Sequence, residues 1–397
     1  MKKANYFKIA LYVILAIVIF GFLRNTLRRG MNDFNVVHRA ATRVLHMENL
    51  YNLEDGHYLY KYSPFFALLM APLGLLPLSY ASFLWLLGMC VSLFFIIRMA
   101  KKMIMGDKPP PGYLYLLSLL LASKFLVREI RLGQTDLMIL LFIFLCLLFT
   151  QRGKEFVAGI FLALSVLIKP TSLIFVPYLL YKKRYRVTAS TIFLSALFFL
   201  LPSFVYGLPG NINLLRDWKT IMFFSSPPLL AVDMNQSIFA FFYRLFTSPP
   251  YEANIINLNY NAVNAIIYAT IIGLFLFVWF LNKKPVTIEK SLVHDKESIE
   301  YSFLLIFMAL FSPLGWFQNY SSSILAIMIL VYYISETKFK DKFIIGMLIL
   351  FFILVDAINF ETVGRRLNDL SLYLSFITWG IFILMTCLSK LRLSKIA

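Results

Sequence analysis

Apolar segments of twelve to twenty residues recur along almost the whole chain, separated by short polar or basic connections. A helical bilayer crossing needs about 20 mostly apolar residues, and inside hydrocarbon each backbone polar group must be satisfied within its own element. A chain patterned this way folds as an all-α polytopic membrane protein. Charged residues make up 15% of the sequence and hydrophobic ones 60%, against about 25% charged in an average soluble chain, which excludes a soluble globular enzyme. Forty Phe and 22 Tyr exclude disorder. Cys90, Cys146 and Cys387 each sit inside an apolar run, so neither a disulfide framework nor a thiolate metal site is expected.

Twelve spans are expected: Phe7–Leu23, Ala81–Ala100, Gly112–Val127, Gln134–Thr150, a tight pair at Phe156–Ile168 and Pro170–Tyr181, then Val187–Tyr206, Ala262–Leu281, Tyr301–Ser312, Ser321–Ser335, Phe343–Asp356 and Leu372–Leu388. Pro72 and Pro77 break the apolar stretch Pro64–Leu78, which reads as a half-helix. With both termini in the cytoplasm, the inner connections hold 23 Lys and Arg against 8 acids, and the rest of the chain 15 against 12. Most of the net charge of +18 is therefore a sidedness label of the positive-inside kind, and nucleic acid is not an expected partner. The chain reads as a single integral domain, 1–397, expected in a bacterial cytoplasmic membrane. It has two long outer loops, 24–63 and 207–261, where function is expected to concentrate.

Past the first span, Val36, Val37, Ala40, Ala41, Val44 and Leu45 repeat at helical spacing with His38, Arg39, Thr42, Arg43 and His46 opposite. This pattern predicts an amphipathic helix lying on the membrane surface. Asp33 at its start suits either an N-cap or a general base at the water–lipid boundary, where desolvation tunes basicity. The Tyr-rich stretch from Tyr51 to Tyr62 fits sugar or headgroup stacking as well as an interfacial aromatic belt. Glu54-Asp55 is too small a set for a dedicated divalent cation site, and the four His are dispersed. No cofactor is expected.

Together these residues resemble glycosyltransferase family 87. The resemblance rests on Asp33-Phe34 before a helix containing Ala40-Ala41, Leu50-Tyr51, Lys61-Tyr62-Ser63-Pro64-Phe65-Phe66-Ala67 and Ala71-Pro72-Leu73. It continues through Gly133-Gln134-Thr135-Asp136, Gly159, Leu167-Ile168-Lys169-Pro170, Asn235-Gln236-Ser237, and Ser312-Pro313 followed by Trp316. It spans roughly residues 30 to 330, and all of these motifs except Gly159 fall at outer ends of the spans. The resemblance implies a GT-C membrane fold and inverting transfer of a hexose, mannose in the family, from a polyprenyl-phosphate donor to a hydroxyl on a glycolipid, glycan or protein acceptor. Asp33 would then be the base. Where many relatives continue the Trp motif into His, this chain has Phe317-Gln318-Asn319-Tyr320.

A donor phosphate needs fixed cations, and Arg128, Arg131 and Lys169 stand at outer turns. Arg128 is equally placed to pair with Glu129, and Lys169 to snorkel, to pair with an acid or to bind an anion. Lys61, Tyr62, Gln134, Asn235, Gln236, Trp316, Gln318 and Asn319 are the expected sugar or acceptor contacts. A transporter or lipid flippase would instead use Lys124, Asp136, Lys169 and Asp356 as charges along a path, and a non-catalytic envelope-assembly partner would not need Asp33.

Overall fold

The structure, a computed structural model, describes residues 17–224, 227–247, 254–283 and 293–393. Residues 7–16 of the first expected span lie outside these. Among the described residues every element is helical, and the only β feature is an isolated bridge between Asn235 and Trp316. The helices are α1 (17–29), α2 (Asn32–Leu45), α3 (Pro64–Gly74), α4 (Leu78–Met105), α5 (Leu114–Leu121), α6 (Ser123–Leu132), α7 (Asp136–Gln151), α8 (Glu155–Ile168), α9 (Phe175–Tyr181) and α10 (Tyr185–Leu200). They continue as α11 (Ser203–Phe224), α12 (Ile238–Phe246), α13 (Tyr260–Lys283), α14 (Ser298–Leu310), α15 (Ile324–Glu336), α16 (Lys342–Phe352), α17 (Phe360–Tyr373) and α18 (Phe376–Leu393).

By length and composition four helices among the described residues are able to cross a membrane, or up to seven when each bent pair counts as one, where apolar runs led to an expected twelve. Several runs are shorter or more broken as helices than as sequence. The expected third span divides at Ala122 into α5 and the amphipathic α6, and α6 then turns through 115° into α7. A ten-residue helix carrying Lys124, Arg128, Glu129 and Arg131 buries only its apolar stripe and Glu129. Likewise α8 and α14, at 14 and 13 residues, fall short of a full crossing by themselves.

α14 and the body of α15 form the centre, with Ser298–Leu310 and Ile324–Ile334 buried throughout. The outward faces of α4, α10 and α13 show Phe83, Phe94, Phe193, Ile272 and Phe280, the surface expected of helices solvated by lipid. Close packing uses glycines at several contacts, among them two between helices. A Cβ on Gly159 of α8 would lie 1.9 Å from Ser190 Oγ on α10, and one on Gly74 of α3 would lie 2.7 Å from the Ala41 backbone. The second contact corrects the expected surface helix. Phe34, Val36, Val37, Ala40, Ala41 and Val44 are buried under α3 and its neighbours, so protein rather than lipid covers the apolar face of α2.

Connections assigned to one side by charge also meet one another. His294 N–H donates to Ile104 O at 2.8 Å, Lys182 pairs with Glu300 at 2.7 Å, and Lys390 with Asp341 at 2.7 Å. Most of the segments assigned to the other side converge on the cavity described next.

Candidate functional site

The Lys61-Tyr62-Ser63 segment is held by its own aromatic neighbourhood. Trp218 Nε1 donates to Lys61 O at 3.1 Å, Tyr51 Oη to Tyr62 O at 2.7 Å, and Tyr60 Oη to Ser63 O at 3.0 Å. Ser63 caps α3 and donates its hydroxyl to Leu167 O at the end of α8, two residues before Lys169. Tyr51 and Tyr60 are buried, so they are a scaffold for this strap rather than a membrane belt or a sugar platform. Asp55 is occupied in the same way, pairing with Arg43 at 2.6 Å and Arg39 at 3.2 Å.

Above the strap, α2 presents Asp33. Its carboxylate does not cap the helix: Met31 is the N-cap residue and no side-chain cap bond forms. Instead Asp33 Oδ2 accepts a hydrogen bond from Gln134 Nε2, and Gln134 Oε1 accepts from Tyr62 Oη at 3.2 Å. This chain of three depends on the turn between α6 and α7. Gly133 there has φ +69°, and a Cβ would lie 2.8 Å from both Met31 Cβ and Phe34 Cβ. Glycine thus lets the turn sit directly on the first turn of α2. Trp85 fixes it further, stacking on Phe34 with ring centroids 5.1 Å apart while Nε1 donates to Gly133 O at 2.9 Å. Burial raises the Asp33 carboxyl above its ordinary value, against the lowering effects of the Gln134 hydrogen bond and of the Lys169 and Arg128 charges. The result is a stronger base than a free carboxylate that the cations still help to ionise.

Lys169 lies on the cavity wall but is already neutralised. Its ammonium reaches both oxygens of Asp136 at 2.9 Å, and Asn319 Nδ2 donates to Asp136 Oδ2 at 3.0 Å. Burial works against the Lys169 charge, but Asp136 outweighs it and holds the ammonium above the usual lysine range. Of the readings open from sequence, pairing with an acid is the one realised. Asn319 is an organiser as well, its Oδ1 accepting from Trp316 N at 2.7 Å. Glu129 does not pair with Arg128. It is buried, and Oε1 accepts from Leu137 N at the start of α7.

These groups surround a half-open cavity of about 620 Å³. Asp33, Lys61, Tyr62, Arg128, Gln134, Lys169, Trp316, Gln318 and Asn319 all line it. Met222, Met234, Met308, Leu229, Val232 and Leu314 supply an apolar wall. Arg128 and Lys61 differ from Lys169 in having no acid within ion-pair distance among the described residues; the Arg128 guanidinium reaches Met234 Sδ at 4.0 Å. Burial pushes the Lys61 ammonium below the usual lysine range. Two cations without an ion-pair partner among the described residues, on a partly desolvated wall, make a seat for an anion.

Three expected site residues fall elsewhere. Arg131 is exposed and outside the cavity lining. Asn235 and Gln236 are fully buried. Asn235 Nδ2 donates to Pro313 O at 2.8 Å while Oδ1 accepts from Gly315 N and Ser237 N. Gln236 Nε2 donates to Asp233 O and Leu372 O, and its backbone carbonyl accepts from Tyr320 and Thr378. Every one of these contacts is intramolecular: the Asn235 side chain and the Gln236 backbone N–H brace the Ser312–Trp316 turn, and Gln236 Oε1 is buried without a hydrogen-bond partner. Asn235→Ala is expected to lower thermal stability by about 1–3 kcal/mol, through stranded buried partners, with donor KM unchanged in the folded fraction.

The pattern missed Asn32, His57 and Thr171, which line the cavity together with Asp233, an acid whose carboxylate was open either to hydroxyl contacts or to helix capping. Asp233 is visible in the sequence as an acid beside the Asn235 motif, whereas His57 is placed only by the turn that Asp55 anchors. His38 is tied to Leu76 O at 3.0 Å. Among the described residues no group of three His, Cys, Asp or Glu is arranged to hold a metal.

In comparisons with known proteins, the model of glycosyltransferase family 87 matches residues 60–293, more than half of the chain. No curated protein and no solved structure matches.

Proposed function

The chain belongs to glycosyltransferase family 87, and on that premise we propose that it moves a hexose, mannose in keeping with the resemblance, from a polyprenyl-phosphate donor to an acceptor hydroxyl at the cavity. The observation that carries this reading is one carboxylate, Asp33, held by Gln134 on the same wall system as two unpaired cations, Arg128 and Lys61. Asp33 takes the proton of the acceptor hydroxyl as its oxygen attacks the anomeric carbon. The bond from that carbon to the phosphate oxygen breaks on the opposite side, inverting the centre. Negative charge grows on the departing polyprenyl phosphate, where Arg128 and Lys61 offset it. Phosphate leaves without a proton, so no second carboxyl acid is required as it would be for a sugar alkoxide. The methionine-rich wall suits the first isoprene units, since flexible thioethers adapt to irregular apolar ligands. In this reading the cavity faces the extracytoplasmic side, as the positive-inside distribution of Lys and Arg implies.

Reconstitution in proteoliposomes with a polyprenyl-phosphate-hexose tests the proposal. Arg128→Ala and Lys61→Ala are each expected to raise donor KM by about tenfold or more, the loss of one charge-assisted contact, while Arg131→Ala leaves it near wild type. Equal effects of Arg128→Ala and Arg131→Ala would refute the assigned anion seat, and absence of transfer from every lipid-phosphate sugar would refute the donor class. A flippase would move the unaltered lipid between leaflets, which the same vesicles report.

A further inference from the structure

The catalytic cavity lies at the C-terminal end of α8. At the N-terminal end of the same helix a second, more open groove of about 870 Å³ separates α8 from the start of α10. Lys154 and Arg186 stand at its rim, both exposed, and neither forms an ion pair among the described residues. Phe156 and Phe193 line the same groove with 58% and 63% of their surface exposed. Arg186 and Phe193 are seven residues apart on α10, about 10 Å along the axis, so charge comes first and apolar surface follows with depth. Beside the groove α8 and α10 are in close contact, where a Cβ on Gly159 would lie 1.9 Å from Ser190 Oγ. Glu155 is the one acid in the lining.

We propose that this groove is a seat for an anionic glycerophospholipid of the leaflet opposite the catalytic cavity. The headgroup phosphate meets Lys154 and Arg186, and an acyl chain lies along Phe156 and Phe193. Charge complementarity selects the occupant. A zwitterionic lipid would place its own cation beside two others, and a soluble phosphate would leave the exposed aromatic surface uncovered. Each Lys or Arg near the headgroup contributes about a five-fold preference for an anionic lipid.

Phe193→Trp in nanodiscs provides a local reporter. With brominated phosphatidylglycerol as a minor component, quenching of that Trp, corrected for the native Trp signal of the unsubstituted protein, is expected to exceed the quenching by the same fraction of brominated phosphatidylcholine. Adding Lys154→Gln and Arg186→Gln is expected to abolish the difference. Native mass spectrometry should show the same loss of one retained phosphatidylglycerol, while sugar transfer by folded protein continues. Equal quenching by the two lipids, or a preference untouched by the double substitution, would overturn the site. Elution as a monodisperse peak confirms that the variants are folded, since both substituted cations are exposed at the groove rim.

Discussion

Asp33→Asn is expected to lower sugar transfer by about 10²–10⁴-fold, the range for loss of a general base, with donor KM close to wild type. The amide keeps an oxygen that accepts from Gln134, so the geometry of the Gln134 and Tyr62 chain survives. Stability separates this from a folding defect. Because burial raises the Asp33 carboxyl, its ionised form is disfavoured in the folded state, and the cost grows as pH rises through the range where it ionises. Removing the charge should leave the melting temperature at neutral pH unchanged or higher. For the same reason the acid limb of the wild-type rate profile should fall above the ordinary Asp value of 3.8. Gln134→Leu removes a hydrogen bond that lowers Asp33, so it should carry that limb to still higher pH. A flat profile for wild type, or Asp33→Asn with wild-type rates, would remove Asp33 from the chemistry.

Asp136→Ala should cost about 3–5 kcal/mol, the loss expected when a buried pair is left with one charge. Lys169 would lose both oxygens of its partner, and Asn319 would lose the acceptor that fixes the Trp316 turn. Lys169→Met should be comparably severe, because Asp136 and the buried Glu129 then share a pocket without a cation. The combined Asp136→Ala and Lys169→Met variant is expected to be more stable than the two single changes summed, the sign of direct coupling. Thermal unfolding in detergent measures all three. If Lys169→Met instead leaves stability unaltered and raises only donor KM, the lysine is a phosphate ligand and its pairing with Asp136 is incidental.

Much of the site is legible in the order of residues along the chain. Asp33, Tyr62, Gln134, Lys169, Trp316 and Asn319 are polar or aromatic residues placed where apolar spans end, and those ends meet in one cavity. Which cation is free is not legible there. Arg128 and Arg131 lie three residues apart on one amphipathic helix, and the sequence favours Arg131, since Arg128 has Glu129 beside it. The rotation of α6, with Glu129 and Ile130 turned into the core, brings Arg128 to the cavity and leaves Arg131 outside. Asn235 and Gln236 have the chemistry to bind hydroxyls, and only the structure shows that both are buried and that backbone groups have claimed the Asn235 amide and the Gln236 Nε2. The amphipathic pattern of α2 matches the helix that forms, but an apolar stripe does not say whether lipid or α3 will cover it.

Local pattern alone determined that this chain is a helical membrane protein and where its polar chemistry is concentrated, because hydropathy and helical period act within one segment. The tertiary structure decided what those segments do for one another: it seated Gly133 on α2, set Gln134 between Asp33 and Tyr62, and gave Lys169 to Asp136. Such choices depend on distances of a few ångströms between residues up to about a hundred positions apart or more. Hydrogen bonding and charge pairing fall off over that same distance, and no periodicity along the chain encodes it.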